Sequence, residues 1–183
     1  MLRPICLIKL CTQSVATVDR MKSNYELFAS IWEQYHISLY KYLFSRMHNQ
    51  HDAEDVLQTT ALKAARSFHN LKHQKDAKTW LFSIASNTMN DHFRRFGSQV
   101  FLNQLPEAAS EDVANDYSDL KLTLHTYLGR LPVEKQNLFF LYMQKTLTLK
   151  EIAKVLGIGY STARKWLLEI RDELFDEIFD HVG

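Results

Sequence analysis

Glycine and proline are scarce in this chain, 5 and 3 of 183 residues. All-β folds use both heavily at turns, so a turn-rich sandwich or barrel is disfavoured. Cysteine is scarcer still: Cys6 and Cys11 stand near the start. Two thiols without a second pair or a nearby histidine make neither a disulfide framework nor a zinc site. No metal, cofactor or catalytic residue is expected. An excess of one charge sign is also missing, because 22 Lys and Arg face 21 Asp and Glu for a net charge of +1. Any affinity for nucleic acid must then come from local patches. Long apolar runs are lacking too. The stretch from Ile5 to Leu10 is interrupted by Lys9, is too short to cross a bilayer, and has no small-residue cleavage pattern. The expectation is a cytoplasmic protein without membrane insertion. Residues 1–20 are expected to be a disordered leader, with Met21 an alternative start.

What is present is helical periodicity. Hydrophobic residues make up 46% of the chain, enough for a core. Phe28, Ile31, Trp32, Tyr35, Leu39, Tyr42 and Leu43 recur at helical spacing between Tyr25 and about Met47. A second helix is expected from Asp52, as N-cap, to about Phe68, and a third from Thr79 to Arg95 after a polar loop over His69 to Lys78. Residues 97–119 differ: they carry Glu107, Glu111, Asp112, Asp116 and Asp119, no Lys or Arg, and Pro106. That composition predicts a flexible acidic linker. Beyond it, helices are expected to Leu128, from Pro132 to Met143, from Thr148 to Leu156, and from Tyr160 to about Phe179. The fold class is all-α: two small helical domains, 21–96 and 120–183, on a tether.

The segment from Thr148 to Arg171 has the pattern of a helix-turn-helix. Ile152, Ala153 and Leu156 share a face, Gly157 permits a left-handed turn, and Ile158 plugs the corner. In the second helix Ala163, Leu167, Ile170 and Leu174 face inward, while Ser161, Arg164, Lys165 and Leu168 face out. That layout suits a helix whose N-terminal half enters a major groove. A helical hairpin with a solvated basic patch is the plainer alternative.

Two further helix faces stand out. On the helix from Asp52, the polar side holds Asp55, Gln58, Thr59 and Arg66, with Leu62 out of place among them. On the helix from Thr79, a narrow polar face shows Ser83, Asn87, Asn90 and Arg94, with Trp80 at its edge and Arg95 adjacent. Asparagine amides match base edges, arginines suit phosphates, and an aromatic can stack on an unpaired base. A solvated face beside a core tryptophan is the alternative.

Three stretches together resemble the sigma-70 family of bacterial RNA polymerase sigma factors, in its compact extracytoplasmic-function (ECF) group. They are Asp52-Ala-Glu-Asp-Val-Leu-Gln58, then Thr79-Trp-Leu-Phe-Ser-Ile-Ala-Ser-Asn87 with Asp91-His-Phe-Arg-Arg95, and Leu131-Pro132 followed by the helix-turn-helix. The resemblance spans roughly Tyr25 to Leu174 and implies a region 2 bundle and a region 4 bundle. It implies core-polymerase docking through Asp55, Val56, Leu57, Gln58 and Leu62. It implies capture of the −10 element by Lys78, Trp80, Ser83, Asn87, Asn90, Arg94 and Arg95. Tyr160, Ser161, Thr162, Arg164, Lys165 and Leu168 would read the −35 element. Its partners would be core RNA polymerase, promoter DNA and an anti-sigma factor. The chain departs from the family pattern at Thr59, Ala61 and Ala65, and at Trp166 and Glu169 in the recognition helix. Glu169 would repel phosphate or accept from a cytosine amine.

Three rivals remain at the level of sequence. One is a helix-turn-helix regulator acting without polymerase. Another is a metal-dependent hydrolase built on His48, His51, Asp52 and Glu54 or on Asp91-His92. The last is a degenerate sigma factor that binds polymerase without promoter activity.

Overall fold

The computed structural model describes the backbone over residues 5–96 and 123–182, and side chains over 24–96 and 123–178. Among the described residues every regular element is helical. Helix α1 spans Ile5–Met47, α2 Gln50–Ser67 and α3 Ala77–Phe96. Single 3-10 turns at Phe68–Asn70 and Gln74–Asp76 bridge α2 to α3. Helix α4 is described over 123–130; α5 spans Val133–Met143, α6 Leu149–Leu156 and α7 Tyr160–Val182. The acidic segment expected at 97–119 lies outside the described residues.

Helix α1 begins well before Tyr25, so the stretch expected to be a disordered leader has a helical backbone from Ile5. No glycine or proline interrupts Ile5 to Met47, and without such a breaker helix propagates readily. It stops at His48, which takes a left-handed φ of 52° and donates its N–H to the Phe44 carbonyl at 2.9 Å. The cap of α2 is Asn49, not Asp52. Asn49 is extended, and its side chain accepts from the Asp52 N–H at 3.2 Å. Asp52 lies in the first turn instead, where its carboxylate meets the positive end of the helix dipole.

The first bundle packs α1, α2 and α3 around Leu39, Tyr42, Leu43, Leu81, Phe82 and Met89, all with no solvent exposure. Each such side chain contributes roughly 1.5–3 kcal/mol of burial. Small residues on α2, Ala53 and Ala64, are equally buried and let the helices close up. The second bundle packs α4 to α7 around Leu138, Leu141, Ile152, Ala163 and Ile170.

Both expected helical bundles are present. The two touch, α6 against α3 and α5 against the end of α1. The reason is complementarity. The polar face of α3 meets carbonyls, an amide and a carboxylate offered by α5, α6 and the loop between them.

Candidate nucleic-acid interface

The helix-turn-helix is built as its sequence predicts. Thr148 caps α6 by accepting from the Glu151 N–H at 3.3 Å, and the Glu151 carboxylate returns to the Thr148 N–H at 2.7 Å. This reciprocal pair satisfies two otherwise orphaned donors. At the other end Gly157 takes φ 67° and ψ 27°, a left-handed cap that favours glycine. The Ile158 N–H reaches the Ala153 carbonyl at 3.0 Å and the Gly157 N–H reaches that of Lys154 at 3.2 Å, the double closure of a Schellman turn. Helix α7 therefore leaves at a fixed angle, anchored by Ala163 and Ile170. Its start is open: Tyr160, Ser161, Arg164, Lys165 and Leu168 are exposed and Thr162 is half-buried. Trp166 is half-buried against the core. Glu169 accepts from Lys135 at 2.9 Å and lies 3.6 Å from Lys165. The Lys135 hydrogen bond, with both lysine charges, holds its carboxyl below the usual range. Its charge is thus met within the protein, and the expected repulsion of phosphate is weakened accordingly.

Helix α2 presents Asp55, Gln58, Thr59 and Leu62 to solvent, with Leu62 60% exposed. They line an open groove of ≈ 830 Å³ between α2 and α3, whose far wall includes His92, Arg95 and Phe96. Lys63 and Asp91 pair across it at 3.2 Å. Val56 does not belong to the exposed set. It is 2% exposed, because the helical period turns it toward the core beside Ala53 and Thr60. Leu57 is half-buried against the same core. Both position the helix rather than present themselves.

On α3 the predicted face divides. Asn87, Arg94 and Arg95 are exposed, and Arg94 donates to Asp91 at 2.6 Å. Trp80 is half-buried with its edge toward Phe68, ring centroids 6.2 Å apart. The other three predicted residues are engaged by the second bundle. Lys78 pairs with Glu151 at 2.9 Å and donates to the Thr146 carbonyl at 3.2 Å. Ser83 donates to the Val155 carbonyl at 3.3 Å, and Asn90 accepts from Asn137 at 3.2 Å.

Sequence reasoning missed Arg46 and Asn137. Arg46 is 4% exposed at the end of α1; its guanidinium lies 5.5 Å from the Phe93 ring centroid and 5.3 Å from that of Phe140. Its Nε donates to Asn137 at 3.0 Å. Burial lowers its pKa from the usual arginine value. The signal was there: Arg46 falls one turn after Tyr42 and Leu43, on an otherwise apolar stripe.

Among the described residues no group of three or more His, Cys, Asp or Glu is placed to hold a metal ion. His92 lies 3.9 Å from Asp52 and against the Phe96 ring, centroids 4.8 Å apart. No described helix is long and apolar enough to cross a membrane.

Comparison with known proteins fits this geometry. Residues 31–98 match the family model for sigma-70 region 2, and residues 121–174 that for sigma-70 region 4. The chain is 29% identical over 149 residues to the ECF RNA polymerase sigma factor SigM of Bacillus subtilis, covering 79% of this chain and 90% of that protein. It is 28% identical over 149 residues to the RNA polymerase sigma factor HrpL of Pseudomonas syringae pv. syringae, covering 75% and 79%. A solved structure of CnrH in complex with the cytosolic domain of CnrY shares the fold, with a TM-score of 0.64 and 19% identity over 92% of this chain and 97% of that one. The polymerase-independent regulator is thereby set aside. Two bundles in this order, each matching its own region, lead to one conclusion: the chain belongs to the sigma-70 family of RNA polymerase sigma factors, as a member of its ECF group.

Proposed function

We propose a residue-level division of labour for promoter-specific initiation by this sigma factor in the cytoplasm. Asp55, Gln58 and Leu62 dock on core polymerase, with Leu57 and Val56 holding their helix in place. Leu62 supplies an apolar anchor and its neighbours a polar rim, the usual anatomy of a protein interface. The exposed start of α7 enters the major groove of the −35 element. Arg164 and Lys165 supply phosphate or guanine contacts, Ser161, Thr162 and Tyr160 orient the helix, and Leu168 meets a base edge or methyl group. On α3, Asn87 holds an unpaired base of the −10 element, Trp80 flanks the melted step, and Arg94 and Arg95 neutralise backbone. Lys78, Ser83 and Asn90 complete that strand-binding face. Unstacking a base step costs a few kcal/mol, which capture in a pocket offsets. We also propose an anti-sigma protein as an inhibitory partner.

The observation that carries the proposal is the pairing of a capped helix-turn-helix with an exposed Asn87 and an exposed, apolar-centred α2 face in one chain. Size-exclusion chromatography with core polymerase tests the docking assignment. Wild-type chain should co-elute, and the Asp55→Lys, Gln58→Ala double variant should not, while its circular dichroism is unchanged. Retained co-elution would move the docking surface elsewhere.

A further inference from the structure

We propose that Lys165 and Glu169 form a paired reader of a G·C base pair in the −35 element, Lys165 donating to guanine and Glu169 accepting from the cytosine amine, with Lys135 of α5 holding the carboxylate in place. The proposal rests on the assignment of the α7 face to −35 duplex and names the base pair that part of this face takes.

Three charges run in a chain across two helices. One Glu169 carboxylate oxygen accepts from Lys135 Nζ at 2.9 Å, and the other lies 3.6 Å from Lys165 Nζ. The two ends of the chain differ. The Lys135 side chain is 19% exposed and that of Lys165 is 75% exposed. An exposed ion pair is held only loosely in water. Lys165 is therefore released to a DNA acceptor at little cost, while the sheltered Lys135 stays. Glu169 keeps one oxygen anchored and presents the other beside Lys165.

The placement on α7 suits a base pair. Ser161, Lys165 and Glu169 follow one another at intervals of four along the helix, which puts them in one strip. Ser161 and Lys165 are exposed, and Glu169 stands at the edge of the open face. Neighbours in such a strip have Cβ atoms about 5–6 Å apart, a separation that two long side chains close easily over one base pair. In the major groove guanine offers two acceptors, N7 and O6, and cytosine offers an amine donor. An ammonium only donates and an ionised carboxylate only accepts. The Lys135 hydrogen bond, with both lysine charges, keeps Glu169 ionised by holding its carboxyl below the usual range. The pair thus matches both halves of G·C. Thymine O4 is a single acceptor beside a methyl group, so T·A serves the lysine less well.

The charges of Lys165 and Glu169 also cancel. The pair adds choice between sequences rather than attraction to phosphate. A carboxylate that meets guanine N7 or thymine O4 faces another acceptor, so the wrong base pair is penalised and not merely unrewarded.

The test uses core polymerase loaded with the full chain. A promoter that this holoenzyme uses is randomised across its −35 element, and templates retained in heparin-resistant complexes are sequenced. Wild type should favour G·C at one −35 position by about tenfold. Glutamine reads adenine through N6 and N7, so Glu169→Gln should move the choice at that position from G·C to A·T and leave the other positions alone. Lys165→Ala, at an open site where misfolding is not a concern, should relax the same position. A tie that only fastens α7 to α5 predicts that Glu169→Gln and Lys135→Ala lower retention of all templates alike and alter no base preference. That result overturns the proposal, as does a base preference untouched by Lys165→Ala. Arg164→Ala separates the pair from the assignment beneath it. A wild-type −35 preference that Arg164→Ala relaxes, but the Lys165 and Glu169 variants do not, sinks the paired reader alone. No −35 preference in wild type sinks the assignment of α7 as well.

Discussion

Asn87 and Val56, from two of the family-like stretches, show how differently residues of such motifs act. Asn87 is exposed on α3, so replacing it should leave folding intact and affect only what it touches. Asn87→Ala is expected to weaken open-complex formation by about tenfold or more while closed-complex binding changes little, as loss of one bidentate base contact of about 1–3 kcal/mol requires. Permanganate reactivity of −10 thymines set against gel-shift affinity separates the two steps; equal losses in both would remove the assignment. Val56 is 2% exposed. Val56→Ala should cost about 2 kcal/mol from lost burial and the residual cavity. Urea unfolding would show it, with co-elution on core polymerase otherwise preserved. The helical period already indicated this difference, since Ala53, Val56, Thr60 and Ala64 share one face. The motif as a string did not, because it runs through both faces.

At the scale of the element, α6 and its turn are specified locally. Thr148→Ala should remove about 1 kcal/mol of stability, and Gly157→Ala about 1–2 kcal/mol because of its left-handed φ. Chemical denaturation of each variant measures both. Glu151 adds a pH dependence. Burial pushes its carboxyl up, but the Thr148 backbone hydrogen bond and Lys78 outweigh that and hold it below the usual value. A carboxyl depressed in the folded state contributes stability that is present above its unfolded pKa and lost as pH falls through the folded one. Wild type should lose melting temperature below about pH 4.5 more steeply than Glu151→Gln; parallel curves would show that Glu151 contributes no such term. The helix-turn-helix was legible because capping box, glycine and corner residue are all short-range signals. The start of α1 was not. Nothing in its periodicity marks Ile5, and the absence of a breaker is a weaker sign than the presence of a cap.

For the whole molecule, what sequence order could not give was the contact between bundles. Each face of α3, α5 and α6 reads as a solvated polar stripe until its counterpart is known, and the counterparts lie some tens of residues away. Arg46 and Asn137 were the accessible clues, single polar residues on apolar stripes. The near-neutral charge of +1 carries its own consequence. Free protein should bind duplex promoter DNA only weakly, since few counterions are released. Core polymerase fixes both bundles on one template and turns weak contacts into a joint one through effective concentration. The most direct measurement is multi-round transcription of sheared genomic DNA by core polymerase with and without the chain, with 5′ ends sequenced. The account predicts new start sites that share two short upstream elements at constant spacing and that disappear with the Asp55→Lys, Gln58→Ala variant. Start sites unchanged by addition of the chain, at concentrations where it co-elutes with polymerase, would contradict it.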